Sequence, residues 1–270
     1  MELGLKGKVV LVTGSSKGIG RSIAAGFARE GCQVAINARN AKELDAAAAE
    51  LLKDAAAAGG TVLAVASDVS KADGAKRAVD ETVARFGTIH VLVNNAGGVG
   101  RFGSFEDLTD EEWLDAFEFN VMSAVRATRA ALPHMQKQKW GRVVNISSES
   151  GVQPDPVMPH YNASKSAMNS LTKSLSKAYG KDNILVNTVS PAFIRTPLLD
   201  GLLQEQARVR GITVDEAEKA LLREFRPNIL LGRAGKPDET AGIVVFLASD
   251  QANFITGSNF RVDGGSVASI

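Results

Sequence analysis

Tyr161 and Lys165 stand one helical turn apart in His160-Tyr161-Asn162-Ala163-Ser164-Lys165, so on a helix they share a face. A free tyrosine titrates at about 10 and is a poor base at neutral pH, but a neighbouring ammonium favours its phenolate. Ser148, in Ile146-Ser147-Ser148-Glu149-Ser150-Gly151, follows an apolar β-branched run and offers a hydroxyl at that run's carboxyl end. A phenol, an ammonium and a hydroxyl can together hold an oxygen atom and exchange a proton with it. The three histidines, His90, His134 and His160, lack ligand spacing, so no metal site is expected.

Those groups need a frame, and strand-like and helix-like segments alternate along the chain. Strands are expected at Lys8–Val12, Gln33–Ile36, Thr61–Ala66, Ile89–Val93, Arg142–Ile146, Ile184–Val189 and about Phe260–Val262. Helices are expected at Gly18–Glu30, Glu43–Ala58, Lys71–Phe86, Asp110–Gln136, His160–Tyr179 and Pro237–Leu247, with Thr109 and Glu112 as a capping box for the fourth. Strands that are apolar throughout are buried on both faces, and intervening helices imply parallel crossovers. The expectation is an α/β fold, a doubly wound, seven-stranded and mostly parallel sheet in a single domain over 1–270. The long charged stretch Leu198–Leu231 reads as a helical lid over the carboxyl ends of the strands.

After the first strand comes Thr13-Gly14-Ser15-Ser16-Lys17-Gly18-Ile19-Gly20, leading straight into a helix. Glycines there let a pyrophosphate approach the backbone and meet the N–H groups of a helix start. The arrangement points to a dinucleotide held by Gly14, Ser16, Lys17, Gly18, Ile19 and Gly20. The second strand ends in Asn37-Ala38-Arg39-Asn40, with an arginine and no carboxylate. Arg39 can pair with a 2′-phosphate, and Lys17 could reach the same group, so NADP is favoured over NAD.

Over nearly its whole length, from about Gly7 to Gly265, the chain resembles the short-chain dehydrogenase/reductase family. The resemblance rests on the glycine turn, on Asp68 after the third strand, on Asn94-Asn95-Ala96-Gly97 after the fourth, and on Asn120, Ser148, Tyr161 and Lys165 in that family's order. It implies hydride transfer between NADP(H) and a carbonyl or secondary alcohol. Tyr161 would be the acid/base, Ser148 would orient the carbonyl, and Lys165 would bind the nicotinamide ribose and lower the tyrosine pKa. Asn120 would hold a relay water. It also implies that Asp68 and Val69 contact the adenine and that Asn95, Ala96 and Gly97 border the adenosine ribose. In Ser190-Pro191-Ala192-Phe193-Ile194-Arg195-Thr196, Pro191, Ile194 and Thr196 would face the carboxamide, with Ala192 where the family usually has glycine. Ser148 rather than Ser147 stands at the family's distance from Tyr161. Glu149 and Asp155 lie on the substrate side, and His160 is read as pointing away from the cleft, at most at its rim. The substrate stays open, a 3-oxoacyl thioester being one candidate. A dinucleotide sensor without catalysis is the alternative, but such proteins tend to lose the tyrosine or lysine kept here.

Composition narrows the partners. Lys and Arg number 31 against 30 Asp and Glu, and hydrophobic residues make up 44% of 270 residues. A near-neutral surface gives no field for nucleic acid or an anionic membrane. No apolar run is long enough to span a bilayer, and Met1–Lys8 lacks the apolar core of a signal peptide. A cytoplasmic protein is expected, and the family resemblance implies a homo-oligomer, dimer or tetramer, acting on a small molecule. The lone Cys32 reads as a small core residue.

Overall fold

The structure is a computed structural model and describes residues 2–269; the outer bounds of the span expected from the sequence, Met1 and Ile270, lie outside the described residues. Seven strands, β1 (Val9–Thr13), β2 (Gln33–Ala38), β3 (Thr61–Ala66), β4 (Val91–Asn94), β5 (Gly141–Ile146), β6 (Ile184–Pro191) and β7 (Asn259–Val262), form one sheet in the order β3-β2-β1-β4-β5-β6-β7. Every pairing is parallel, where the sequence pattern left room for an antiparallel member.

The strands are apolar throughout because each face has its own core. Val10, Val12, Val34, Ile36 and Val93 meet α1 (Gly18–Arg29), α2 (Ala41–Ala57) and α9 (Pro237–Ala248) on one side. Leu11, set between Ala35 and Leu92, meets α3 (Ala72–Phe86) and α5 (Ser123–Gln138) on the other. Cys32 is buried in the first core, where burial pushes its thiol up to about 12. Tyr179, at the end of α6 (Pro159–Tyr179), packs against the second core. The chain order reverses between β1 and β4, which opens a crevice beyond the carboxyl ends of the strands.

Two departures bear on the site. The helix expected over Asp110–Gln136 is α4 (Asp110–Phe117), then a wide π-helical turn at Glu118–Met122, then α5. The widened turn centres on Asn120, and the Ser123 N–H reaches back five residues to the Glu118 carbonyl. Periodicity cannot show a single inserted residue, because the apolar faces on either side of it remain helical. The stretch 198–231 folds as two helices, α7 (Pro197–Arg210) and α8 (Val214–Phe225), around a small apolar cluster of their own that includes Leu203 and Leu221.

Candidate active site

The parallel sheet brings the chemistry-bearing residues to one edge. The glycine turn follows β1, Arg39 follows β2, Asp68 follows β3, Asn95–Gly98 follows β4, Ser148 follows β5 and Thr196 follows β6. A cleft of about 310 Å³ lies between the glycine turn, Gly97, Ser148, Tyr161, Lys165 and Thr196, with Pro191 in its wall. A second, of about 390 Å³, continues from Gly98 toward Arg39, Asp68 and His160.

Amides of the loop after β4 brace the floor of the first cleft. Asn95 Nδ2 donates to the carbonyls of Thr13 and Gly14 (2.9 Å each), and the Thr13 hydroxyl accepts from the N–H groups of Asn95 and Ala96 (3.1 Å each). A side chain on Gly20 would place its Cβ 2.4 Å from Asn95 Nδ2 and from the Gly14 carbonyl. Gly20 therefore lets the start of α1 lie against the turn, the close approach that a pyrophosphate cradle needs. Ser16, Ala96, Val69 and Ile194 do not line either cleft; Val69 and Ile194 are buried, and Val69 belongs to the second core.

Asn120 is fully buried and fully used. Its Nδ2 donates to the Gly98 and Ala116 carbonyls (3.0 Å each), and its Oδ1 accepts from Gly98 N–H (3.0 Å). The wide turn thus clasps the loop after β4 from behind. Gly97 allows it: a Cβ there would sit 2.6 Å from Asn120 Oδ1 and 3.2 Å from Lys165 Nζ.

The buried Lys165 donates from Nζ to the Ile146 carbonyl (2.9 Å), and that nitrogen lies 5.5 Å from the centre of the Tyr161 ring. Burial lowers the Lys165 ammonium to about 8. Burial also pushes the Tyr161 phenol up; the hydrogen bond with Ser148 opposes this, Glu149 adds to the rise and Arg226 offsets part of it. Lys165, expected to lower the phenol, is not among the groups that shift it; its Nζ donates to the Ile146 carbonyl instead. The Ser147 hydroxyl donates to the Lys165 carbonyl (3.0 Å), which leaves Ser148 as the serine partnered with the phenol.

The second cleft carries the cations. Arg39 is exposed, makes no ion pair among the described residues and lies over the Phe119 ring at 5.6 Å. Asp68 Oδ1 accepts from Ser70 N–H (3.0 Å) and Ser70 Oγ (2.7 Å); burial opposes them, but these bonds and Arg39 hold its carboxyl below the usual range. Lys17 lines the first cleft rather than the second and pairs with Glu43 at 3.8 Å. His160 does not point away: it is buried, packs edge-on to Trp113 at 6.2 Å and lines the second cleft. The residues present fit a dinucleotide, with a glycine cradle at the switch point and an unpaired guanidinium beside the second strand. Sequence reading missed Arg226, which reaches Glu149 and Asp155 from just beyond α8, because nothing in its neighbourhood marks it.

The fold and the cleft define the class, a dinucleotide-dependent oxidoreductase on a doubly wound sheet. A family model described as enoyl-(acyl carrier protein) reductase matches residues 14–267. The chain is 39% identical to the uncharacterized oxidoreductase YvrD of Bacillus subtilis (strain 168) over 270 residues, all of both chains. It is 37% identical to the 3-oxoacyl-[acyl-carrier-protein] reductase FabG of Thermotoga maritima over 263 residues, 97% of this chain and 99% of that one. L-Sorbose reductase from Gluconobacter frateurii, complexed with NADPH and L-sorbose, superposes with a TM-score of 0.93 at 36% identity over the whole of both chains. The chain belongs to the short-chain dehydrogenase/reductase family and is an NAD(P)-dependent oxidoreductase acting on a carbonyl/alcohol pair.

Proposed function

We propose that the chain reduces a ketone with NADPH, Tyr161 delivering the proton. The observation that carries this reading is the convergence of Ser148, Tyr161 and Lys165 on the cleft that the glycine turn also borders. The bound cofactor supplies the hydride. Ser148 orients the carbonyl oxygen and Tyr161 donates to it as it gains charge. Lys165, an ammonium at neutral pH, takes the ribose hydroxyls, while Asn120, its side-chain amide already paired, fixes the loop beneath it. A phenol pushed up by burial keeps its proton at neutral pH, the state that a reductase needs.

Arg39, exposed and in no ion pair among the described residues, supports a 2′-phosphate and hence NADP. Gly14, Ser16, Lys17, Gly18, Ile19 and Gly20 hold the pyrophosphate, Ser16 through its backbone. Asp68, Val69, Asn95, Ala96 and Gly97 hold the adenosine, Val69 and Ala96 through their backbone. Pro191, Ile194 and Thr196 hold the nicotinamide, Ile194 through its backbone. The FabG relatives support a 3-oxoacyl thioester as substrate, and the L-sorbose reductase likeness supports a ketose. Exposed Phe102, Phe105 and Leu114 beside α4, and Phe254 before β7, support a dimer or tetramer, which light scattering would read. No described helix is long and apolar enough to cross a membrane; a single buried thiol supports the cytoplasm.

The deciding trial follows 4-deuterated NADPH with acetoacetyl-CoA, L-sorbose and simple ketones. Deuterium should appear on the carbinol carbon, and Tyr161→Phe should turn over about 10²–10⁴-fold more slowly while binding NADPH as before. Undiminished turnover by that variant would remove Tyr161 from the mechanism.

A further inference from the structure

A buried charge cluster joins the helical insertion to the catalytic edge. Arg226, 6% exposed, leaves the end of α8 and pairs through Nε with Oε1 of Glu149, itself 2% exposed. Its Nη2 pairs with Asp155, its Nη1 donates to the Phe225 carbonyl (2.6 Å), and its guanidinium lies 5.6 Å from the Phe193 ring centre. Glu149 is the immediate neighbour of Ser148. The Asp155 carbonyl accepts from Asn162 Nδ2 (2.6 Å), and Asn162 is the immediate neighbour of Tyr161. One guanidinium thus reaches the backbone segments of both hydroxyl-bearing residues. Glu149 Oε2 is buried without a partner, so Arg226 is its sole compensation among the described residues. A carboxylate taken out of water is tolerated only when paired, which makes the placement a costly one for a merely structural tie.

We propose that Arg226 is a positioning residue for proton transfer: seated by the insertion, it clamps Glu149 and Asp155, fixes Ser148 against Tyr161 and balances the charge beside the phenol. The proton step then depends on α7 and α8 being in place. The charged groups that face Tyr161 are Lys165 on its own helix, Glu149 from the turn after β5 and Arg226 from the insertion, with Asp155 behind Arg226. Glu149 raises the phenol and Arg226 lowers it, so removing one or the other moves its titration in opposite directions. The proposal rests on Tyr161 as the acid/base.

The chain has two tyrosines, so in a Tyr179→Phe background the phenolate absorbance at the red edge of the aromatic band reports Tyr161 alone. The titration is read by stopped-flow pH jump, before unfolding, with and without NADP⁺. Glu149→Gln should move the midpoint down by about one pH unit and Arg226→Met up by a similar amount. The double variant, which leaves only the partly exposed Asp155 without its partner, should return near the parent, and Arg226→Lys should hold the parent midpoint. Should Arg226→Met not fold, Glu149→Gln and the double variant carry the result. Midpoints that stay put or move the same way in folded, NADPH-binding variants overturn the proposal. Tyr161→Phe separates the two readings: loss of the signal with retained turnover sinks the acid/base assignment, whereas opposite shifts that fail to appear while Tyr161→Phe is inactive sink only the role of Arg226.

Discussion

At the carboxyl ends of β1 and β4 the contacts are made by backbone and short amides: Asn95 onto Thr13 and Gly14, Asn120 onto Gly98 and Ala116. Beside the same cleft, which the start of α7 borders, α7 and α8 are held by guanidinium groups. Arg195 pairs with Asp200 (2.7 Å) and Glu218 (2.8 Å), Arg226 pairs with Glu149 and Asp155, and Leu203 and Leu221 pack in a cluster apart from both cores of the sheet. The floor therefore shares the cooperativity of the sheet, whereas the insertion rests on few apolar contacts and on charge pairs. A region built that way opens at a lower free energy than the core. The same sheet edge thus carries a rigid glycine cradle and, beside it, a more loosely held helical insertion.

The harshest way to break this contrast is to strike the floor. Gly20→Ala should cost about 1–3 kcal/mol of stability and abolish tight NADPH binding, because no neighbour of the new Cβ is a flexible side chain free to move; thermal melts and fluorescence titration read both. An unaltered NADPH Kd would show the floor to be as forgiving as the insertion.

The junction between the regions should show itself in pH. Burial holds the Lys165 ammonium near about 8, so the charged form exists below that value and is lost above it. Carbonyl reduction should then be level through neutrality and bend downward above about pH 8 in kcat/KM; a flat profile to pH 10 would place the bend elsewhere. At the rim of the floor a side chain, not the backbone, sets the outcome. Arg39→Ala should reduce the preference for NADPH over NADH by about tenfold or more, as expected for loss of a charge-assisted bond, and equal losses for both nucleotides would remove it as the 2′-phosphate partner. The smallest effect belongs to the insertion. Arg195 is half-exposed, so Arg195→Ala should cost about 1 kcal/mol or less, yet speed hydrogen exchange in α7 and α8 and raise the substrate KM while leaving NADPH affinity alone. Faster exchange in β1 or α1 instead would mean that the two regions are not separable.

The strands, most helix boundaries to within a few residues, the glycine turn and the order of Ser148, Tyr161 and Lys165 are legible in the chain because local spacing encodes them: a strand buried on both faces must be apolar throughout, and a phosphate turn needs glycine where backbones meet. The widened turn at Asn120 and the upward push on Tyr161 are not local. Each depends on what packs around the residue: the Gly98 carbonyl behind the one, burial and then the Glu149 carboxylate at the other. Arg226 is the extreme case, since its partners lie far back in the chain at Glu149 and Asp155. By itself the sequence determined the sheet and the chemistry of a phenol, an ammonium and a hydroxyl; only the tertiary structure decided which charges stand beside that phenol, because burial and long-range ion pairing, not spacing, set the energy of its proton.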